Sequence, residues 1–435
     1  MTAALAAAQS GAAVLLLEKE RRPGGNTALS SGMIPAAGTR LQLQAGIDDT
    51  PERMARDILA KNHNSSDPAM TLRVCRESAP LVDWLAEQVG VPIQVVTDFN
   101  YPGHAHHRMH AHPQRTGAAL AEELWKAICR DDCIEAVCSA PVRGLVAGES
   151  GEVAGVTVER SEIEHVRARK VILASSGFGA DRQMVERYCP EIVDAIYFGT
   201  AGNTGEGIRW GMELGAAVQH MDAYQGHGSV AHPHGILLTW IVMAQGGFLV
   251  NRGGVRFGDE SEGYSSYAVH VLRQPGGVAY EIFDQPILDA VRDFPDFKMC
   301  VEAGAVRSAG STEALAEILG IDAAGLLHTL NEYNEIAAGR SKDAFRRADI
   351  ARPLHPPFYG VQVTGALFHT QGGLKVDPQA RVLRSDGTIL PNLYAGGGTA
   401  VGVSGQGAQG YLAGNGLLAA LVLGRIAGLD AAASL

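Results

Sequence analysis

The chain has 435 residues, 46% hydrophobic and 19% charged, with a formal net charge of -11. That length supports one large core or two moderate ones, and the acidic balance excludes nucleic acid and anionic membrane surfaces as partners. No stretch reaches the ~20 apolar residues that a membrane span needs.

Residues 1–20 read as the end of a helix, a turn at Gly11 and a buried parallel strand, AAVLLLE, that ends in Glu18. In a dinucleotide-binding fold an acidic side chain at that strand end hydrogen-bonds the adenosine ribose, so Glu18 is the first cofactor candidate. The G-x-G-x-x-G fingerprint and its strand belong just upstream of Met1, and the chain is expected to be truncated there. PGGNTALSSGMIPAAGTR follows, and Thr50 to Val91 then carries helical periodicity that reads as packing helices. The histidines of HAHHRMHAHP lack the spacing of a metal site, so no metal is expected. The six cysteines form no CxxC pair and read as buried free thiols in a reducing cytoplasm.

Strand-like runs come next: IEAVCSAPVRGLVAG, EVAGVTVER and KVILASSGFGAD. Ala174 and Ser175 stand where a buried strand ends in a small-residue loop, a frequent place for ligand contact. From about Tyr224 to Gly365 the composition shifts to strand runs and then to helical GSTEALAEILGI and AAGLLHTLNEYNEIAAGR. That region closes with the proline-marked RPLHPPFYG. The chain carries 53 glycines, and they cluster between Gly372 and Gly416, just before the apolar helix pattern LLAALVLGRIAG. A glycine-rich loop feeding a helix N-terminus offers free N–H groups and a positive dipole end to an electron-rich ligand.

HTxGGLxxD, xLPNLYAGG and GNxLLxxxxxGRIAG in this stretch resemble the closing segment of the FAD-dependent fumarate reductase/succinate dehydrogenase flavoprotein superfamily, which includes the 3-ketosteroid dehydrogenases. The resemblance runs in order along nearly the whole chain. It implies FAD and an α/β fold: a Rossmann-like FAD-binding domain in two chain segments with an inserted α+β capping domain. The segments are 1–223, lacking its first strand and phosphate loop, and 366–435; the capping domain is 224–365. Gly25, Asn26, Thr27 and Gly32 match the family's GGN-x-x-x-S-x-G segment, which runs along the FAD. Val142 matches the edge residue that faces the adenine half, and Glu206 the acidic position of the TGDG helix start. His369 matches a position that touches FAD; Gly398, Gly416 and Leu417 complete the cofactor candidates. Arg108 and His110, with Thr116 and Gly117, match an R-x-H and TG block close to the flavin. They stand as substrate-pocket candidates beside a plain reading as solvated side chains.

Fumarate reductases of the superfamily supply a proton from an arginine through a glutamate–arginine relay, and clamp carboxylates with two histidines and another arginine. Here His227 keeps the first histidine position, thirteen residues before Trp240. Trp240 and Met243 replace the relay pair, Tyr264 the proton donor, Phe368 the second histidine and Tyr411 the clamping arginine. A dicarboxylate site needs paired cations, whereas these residues make an aromatic, mostly apolar pocket. RFGDESEGY, Arg256 to Tyr264, is similar to the segment of 3-ketosteroid Δ1-dehydrogenases whose tyrosine is the catalytic base. The expected protein is thus a flavin-dependent dehydrogenase or ene-reductase acting on a carbon–carbon bond next to a ketone in an apolar, cyclic or steroid-like small molecule. Tyr264 handles the proton, and His227 and Tyr411 orient the substrate. Electrons pass to or from a separate partner, and the setting is cytoplasmic. The alternatives are a dicarboxylate- or tricarballylate-type dehydrogenase or fumarate reductase-like enzyme, and a non-catalytic truncated flavoprotein remnant.

Overall fold

Alanine and glycine decide the packing at both ends of the chain. In the computed structural model, which describes residues 1–347, 349–350 and 352–435, the helix Thr2–Gln9 buries every residue except Gln9. It lies against the closing helix Asn415–Ala433. A Cβ on Gly428 would collide with the Ala3 carbonyl oxygen, so the small side chains set the approach of the two helices. Asn415–Ala433 is long and apolar enough to cross a membrane by length and composition, but 56% of its most apolar window is buried in the protein. A helix apolar on all sides belongs in such a core.

Two compact units emerge: Met1–Cys189 with Gly199–Tyr224 and His369–Leu435, and Gln225–Phe368 with Pro190–Phe198. The 224–365 region expected to stand apart therefore runs on to Phe368 and takes in a second short segment. The reason is pairing: Ile196–Tyr197 adds to the strand Phe358–Thr370 in parallel.

In the first unit, Val14–Leu17 pairs in parallel with Ile134–Val137, and Val171–Leu173 pairs in parallel with Ile389–Ala395. Parallel pairs need crossover connections, and helices such as Gly117–Arg130 supply them. A three-stranded antiparallel meander, Val142–Ala147, Val153–Glu159 and Ile163–Arg167, completes this part. The periodic stretch after Thr50 forms the helices Pro51–Lys61, Pro68–Arg76 and Ser78–Trp84.

The second unit is built on a mixed sheet whose main path runs Ile236–Leu237, Tyr224–Ala231, Phe358–Thr370, Val278–Asp284, Phe248–Val250. Val278–Asp284 is buried along its whole length. The helix Tyr264–Leu272 lies close over Tyr224–Ala231, where a Cβ on Gly226 would sit 2.6 Å from the Ser265 carbonyl oxygen. Glycine at that position lets the helix come down onto the strand.

Candidate active site

The first unit gathers the cofactor candidates. Gly117 N–H donates to the Ser30 carbonyl at 2.7 Å, and a Cβ on Gly32 would sit 2.9 Å from Thr116. The GGN block and the TG block thus meet. Asn26 Oδ1 accepts from Thr200 N–H at 2.8 Å, and Thr27 sits with Gly25 in the short helix Gly25–Leu29. Glu18 follows the first strand and accepts from Glu20 N–H at 2.9 Å. Val142 opens the first strand of the meander. Glu206 pairs with Lys19 at 2.7 Å. Burial alone would raise its pKa, but the Lys19 and Thr204 hydrogen bonds outweigh that and hold it below the usual carboxylate range. Ala174 and Ser175 follow Val171–Leu173, and Ser175 Oγ lies 3.3 Å from Thr399 Oγ1. A Cβ on Gly398 would come within 2.6 Å of Gly177 N, so these two loops require glycine where they touch.

At the start of Asn415–Ala433 the chain turns through Gly414 in the left-handed region, φ 84°, with no side-chain cap. Helix geometry leaves the first N–H groups, Leu417's among them, without intrahelical partners. Asn415 is fully buried, and neither atom of its amide has a partner among the described residues. Gly416 lies under His369, where a Cβ would meet Cε1 at 2.6 Å. His369 Nδ1 lies 2.9 Å from Gln371 Nε2, and burial lowers its pKa to about 4. The Tyr411 ring packs edge-on to His369 at 5.6 Å. Burial raises the Tyr411 phenol, and the N–H groups of Gly414 and Gly416 partly offset that. Its hydroxyl thus serves the helix terminus, which departs from the expected role of orienting substrate.

Unpartnered buried amide atoms, an uncapped helix start and a Glu206 Oε2 with no partner among the described residues fit a polar dinucleotide. Glu18, Asn26, Glu206, Asn415 and the backbone of 416–417 are the groups that would hold it.

The second unit gathers the side chains expected to do chemistry. His227, 5% exposed on Tyr224–Ala231, stacks on Tyr264 with centroids 4.9 Å apart and on Phe368 at 5.3 Å. Trp240 meets it edge-on at 6.0 Å, and Phe368 also stacks on Phe198 at 5.0 Å. Burial holds the His227 pKa down to about 3, so the ring is neutral. Its Nδ1 accepts from Ser229 N–H at 3.1 Å. A neutral imidazole with Nδ1 accepting carries its proton on Nε2.

Tyr264 starts its helix and is half-buried. Its segment is anchored by Arg256, which pairs with Glu260 at 2.7 Å and Asp343 at 2.8 Å, while Arg347 reaches Glu260 at 3.2 Å. Around His227, four sequence-predicted positions therefore come together: 227, 240, 264 and 368.

Met243 is 1% exposed and belongs to the same buried cluster of the second unit as Trp240, against which Tyr264 packs. Two expected pocket residues sit elsewhere. Arg108 is fully buried in the first unit with its guanidinium on Asp49, 2.6 Å, and on Asp57. His110 is equally buried, its ring nitrogens 2.8 Å from Thr39 Oγ1 and 2.8 Å from the Arg108 carbonyl. Both are supplied with partners by the interior, so they brace the unit and are neither solvated nor aimed at a ligand. Sequence reasoning passed over Ser229, Phe198 and Asn415, and also Glu281. The last had a visible signal, a carboxylate in the middle of the apolar run VAYEIF.

Fold and side chains together define a dinucleotide-binding flavoprotein. Residues 1–417 match the FAD binding domain family. The chain is similar to a probable fumarate reductase, Ifc3, of Shewanella frigidimarina (strain NCIMB 400), 30% identical over 99% of this chain and 72% of the relative. Among solved structures it is similar to the open conformation of a flavocytochrome c3 fumarate reductase, TM-score 0.83 and 29% identity over 99% of this chain and 76% of that one. It is also similar to the 3-ketosteroid-Δ4-(5α)-dehydrogenase of Rhodococcus jostii RHA1, solved with 4-androstene-3,17-dione, TM-score 0.80 and 26% identity over 99% and 94%. The chain belongs to the FAD-binding family that these flavoproteins represent. FAD is its cofactor, and it is an oxidoreductase of the class acting on CH–CH groups.

Proposed function

We propose that the first unit is a Rossmann-like FAD-binding domain, the second a capping domain, and that the enzyme works on a carbon–carbon bond next to a ketone in an apolar, cyclic or steroid-like substrate. The observation that carries this reading is the neutral His227 ring stacked on Tyr264 and Phe368. A site for two carboxylates would need cations there. The buried arginines of this unit, Arg256 and Arg347, are already paired with acids.

Bound FAD supplies the two-electron carrier for hydride transfer. Tyr264 takes the proton from the carbon next to the ketone in dehydrogenation, or returns it in reduction. His227 Nε2–H donates to the ketone oxygen as enolate charge develops on it. The flat faces of Phe368 and Trp240 exclude water and favour a ring-shaped apolar substrate. Tyr411 supports the cofactor side by holding the helix start. Electrons pass to or from a separate partner, and the six free cysteines, of which Cys75, Cys189 and Cys300 are buried as expected and Cys129, Cys133 and Cys138 are not, suit a cytoplasmic setting.

The fumarate reductase relatives support a second reading, reduction of a small unsaturated carboxylic acid. Steady-state turnover with a dye acceptor or donor separates the two. Turnover of cyclic ketones or enones is expected. Turnover of succinate or fumarate alone rejects the first reading, and a protein that stays colourless with added FAD and turns over nothing is a non-catalytic remnant.

A further inference from the structure

Behind His227 the second unit carries a carboxyl group that the mechanism above does not use. Glu281 lies mid-strand in Val278–Asp284 and is fully buried. Its neighbours across the sheet are apolar, Leu249 on one side and Val361 on the other. Ser229 Oγ donates to its Oε1. Its Oε2 has no partner among the described residues. The same Ser229 donates its backbone N–H to His227 Nδ1 at 3.1 Å. One residue thus ties Glu281 to the imidazole expected to face the substrate.

We propose that Glu281 is a positioning residue of this site: carried as an uncharged carboxylic acid, it anchors Ser229 and through Ser229 keeps the His227 proton on Nε2. This rests on the reading of His227 given above.

The chemistry follows from the surroundings. A carboxylate between Leu249 and Val361, with one hydroxyl for company, would be an unpaired buried charge. Burial raises the Glu281 pKa to about 8, and the Ser229 hydroxyl partly opposes that rise. Among the described residues, the titratable groups around it bring no compensating positive charge. From Tyr224–Ala231 it faces Ser229, with the neutral His227 two residues before. From the helix Pro295–Glu302 it faces Cys300, whose thiol is pushed up to about 12 by burial and then by Asp296 and Glu281. At the end of its own strand Asp284 is already held by Arg352 at 2.6 Å. Once ionised, the carboxylate must seek water, and Ser229 moves with it. His227 then loses the donor that holds its tautomer.

The test pairs two readouts on the FAD-loaded protein. The first is kcat/KM against pH, on whichever substrate class turns over. The wild type should lose about tenfold per pH unit above about pH 8. In Glu281→Gln, which keeps the shape and cannot ionise, that limb should vanish when each profile is scaled to its own maximum. In Ser229→Ala, which cuts the tie between Glu281 and His227, it should vanish as well. A Glu281→Gln profile that keeps the wild-type limb overturns the proposal.

The second readout needs no substrate. A carboxyl whose pKa is raised on folding from 4.5 to about 8 contributes stability that is full at low pH and is lost as pH rises through that window. The Tm of Glu281→Gln relative to wild type should therefore climb between about pH 5 and pH 8 and then level off. A difference that does not change with pH overturns the proposal even if the enzyme proves to act on carboxylic acids. A climbing difference with no turnover of any ketone leaves Glu281 a neutral acid and removes only the substrate reading.

Discussion

The rings of His227 and Tyr264 lie 4.9 Å apart with their planes 24° from parallel. The imidazole is neutral, with Nδ1 accepting and the proton left to Nε2, while the phenol heads a helix whose loop is anchored by a buried arginine–carboxylate cluster. In the proposed mechanism this pairing would set a hydrogen-bond donor and a proton-transfer group side by side, as enolisation of a ketone requires.

Removing the phenolic hydroxyl tests that division of labour. Tyr264→Phe keeps the stack on His227, so flavin absorbance and Tm should stay near wild type. Turnover should fall roughly 10²–10⁴-fold, the range of a lost general acid–base group. Near-normal turnover removes Tyr264 from the chemistry.

Asn415 is the direct probe of the cofactor side, because its buried amide has no protein partner among the described residues. Asn415→Leu should weaken FAD binding about tenfold, some 1.4 kcal/mol, read by titration of the apoprotein. The apoprotein itself should be no less stable, since an unsatisfied polar group has been replaced by an apolar one. Unchanged FAD affinity would assign the amide to the interior alone.

Arg108 separates a substrate role from a structural one. Its guanidinium sits between Asp49 and Asp57 with no exposure. Arg108→Met strands two carboxylates and should cost roughly 3–5 kcal/mol of stability, measured by urea unfolding. KM of the folded fraction should hold. A raised KM without loss of stability would return Arg108 to the substrate pocket.

Acid should destabilise the protein earlier than its carboxylates alone require. Burial lowers His104 to about 4, His110 to about 4 and His227 to about 3. Each is neutral when folded and takes up a proton on unfolding, so stability is full above the unfolded pKa and falls as pH drops below about 6.5. At the steepest each group contributes about 1.4 kcal/mol per pH unit, while Glu281 opposes them with one. Unfolding midpoints from pH 7 to pH 4.5 should show the decline, and a flat series excludes it.

Local pattern was enough to determine much of this protein. The 3.6-residue period announced the helices at Pro51–Lys61 and Ala323–Ala337, and glycine clusters marked the loop before Asn415–Ala433. His227, Trp240, Tyr264 and Phe368 were legible as candidates through the family resemblance, position by position. Partnership was not legible. Arg108 and His110 looked like ligand-binding residues until Asp49, Asp57 and Thr39, more than fifty residues away in chain in each case, were seen to satisfy them. Glu281 was passed over as part of an apolar run, and only the sheet brings Ser229 against it and leaves its other oxygen without a partner among the described residues. Periodicity and glycine act through neighbours in sequence. Burial and hydrogen-bond satisfaction depend on residues that meet only when the chain has folded.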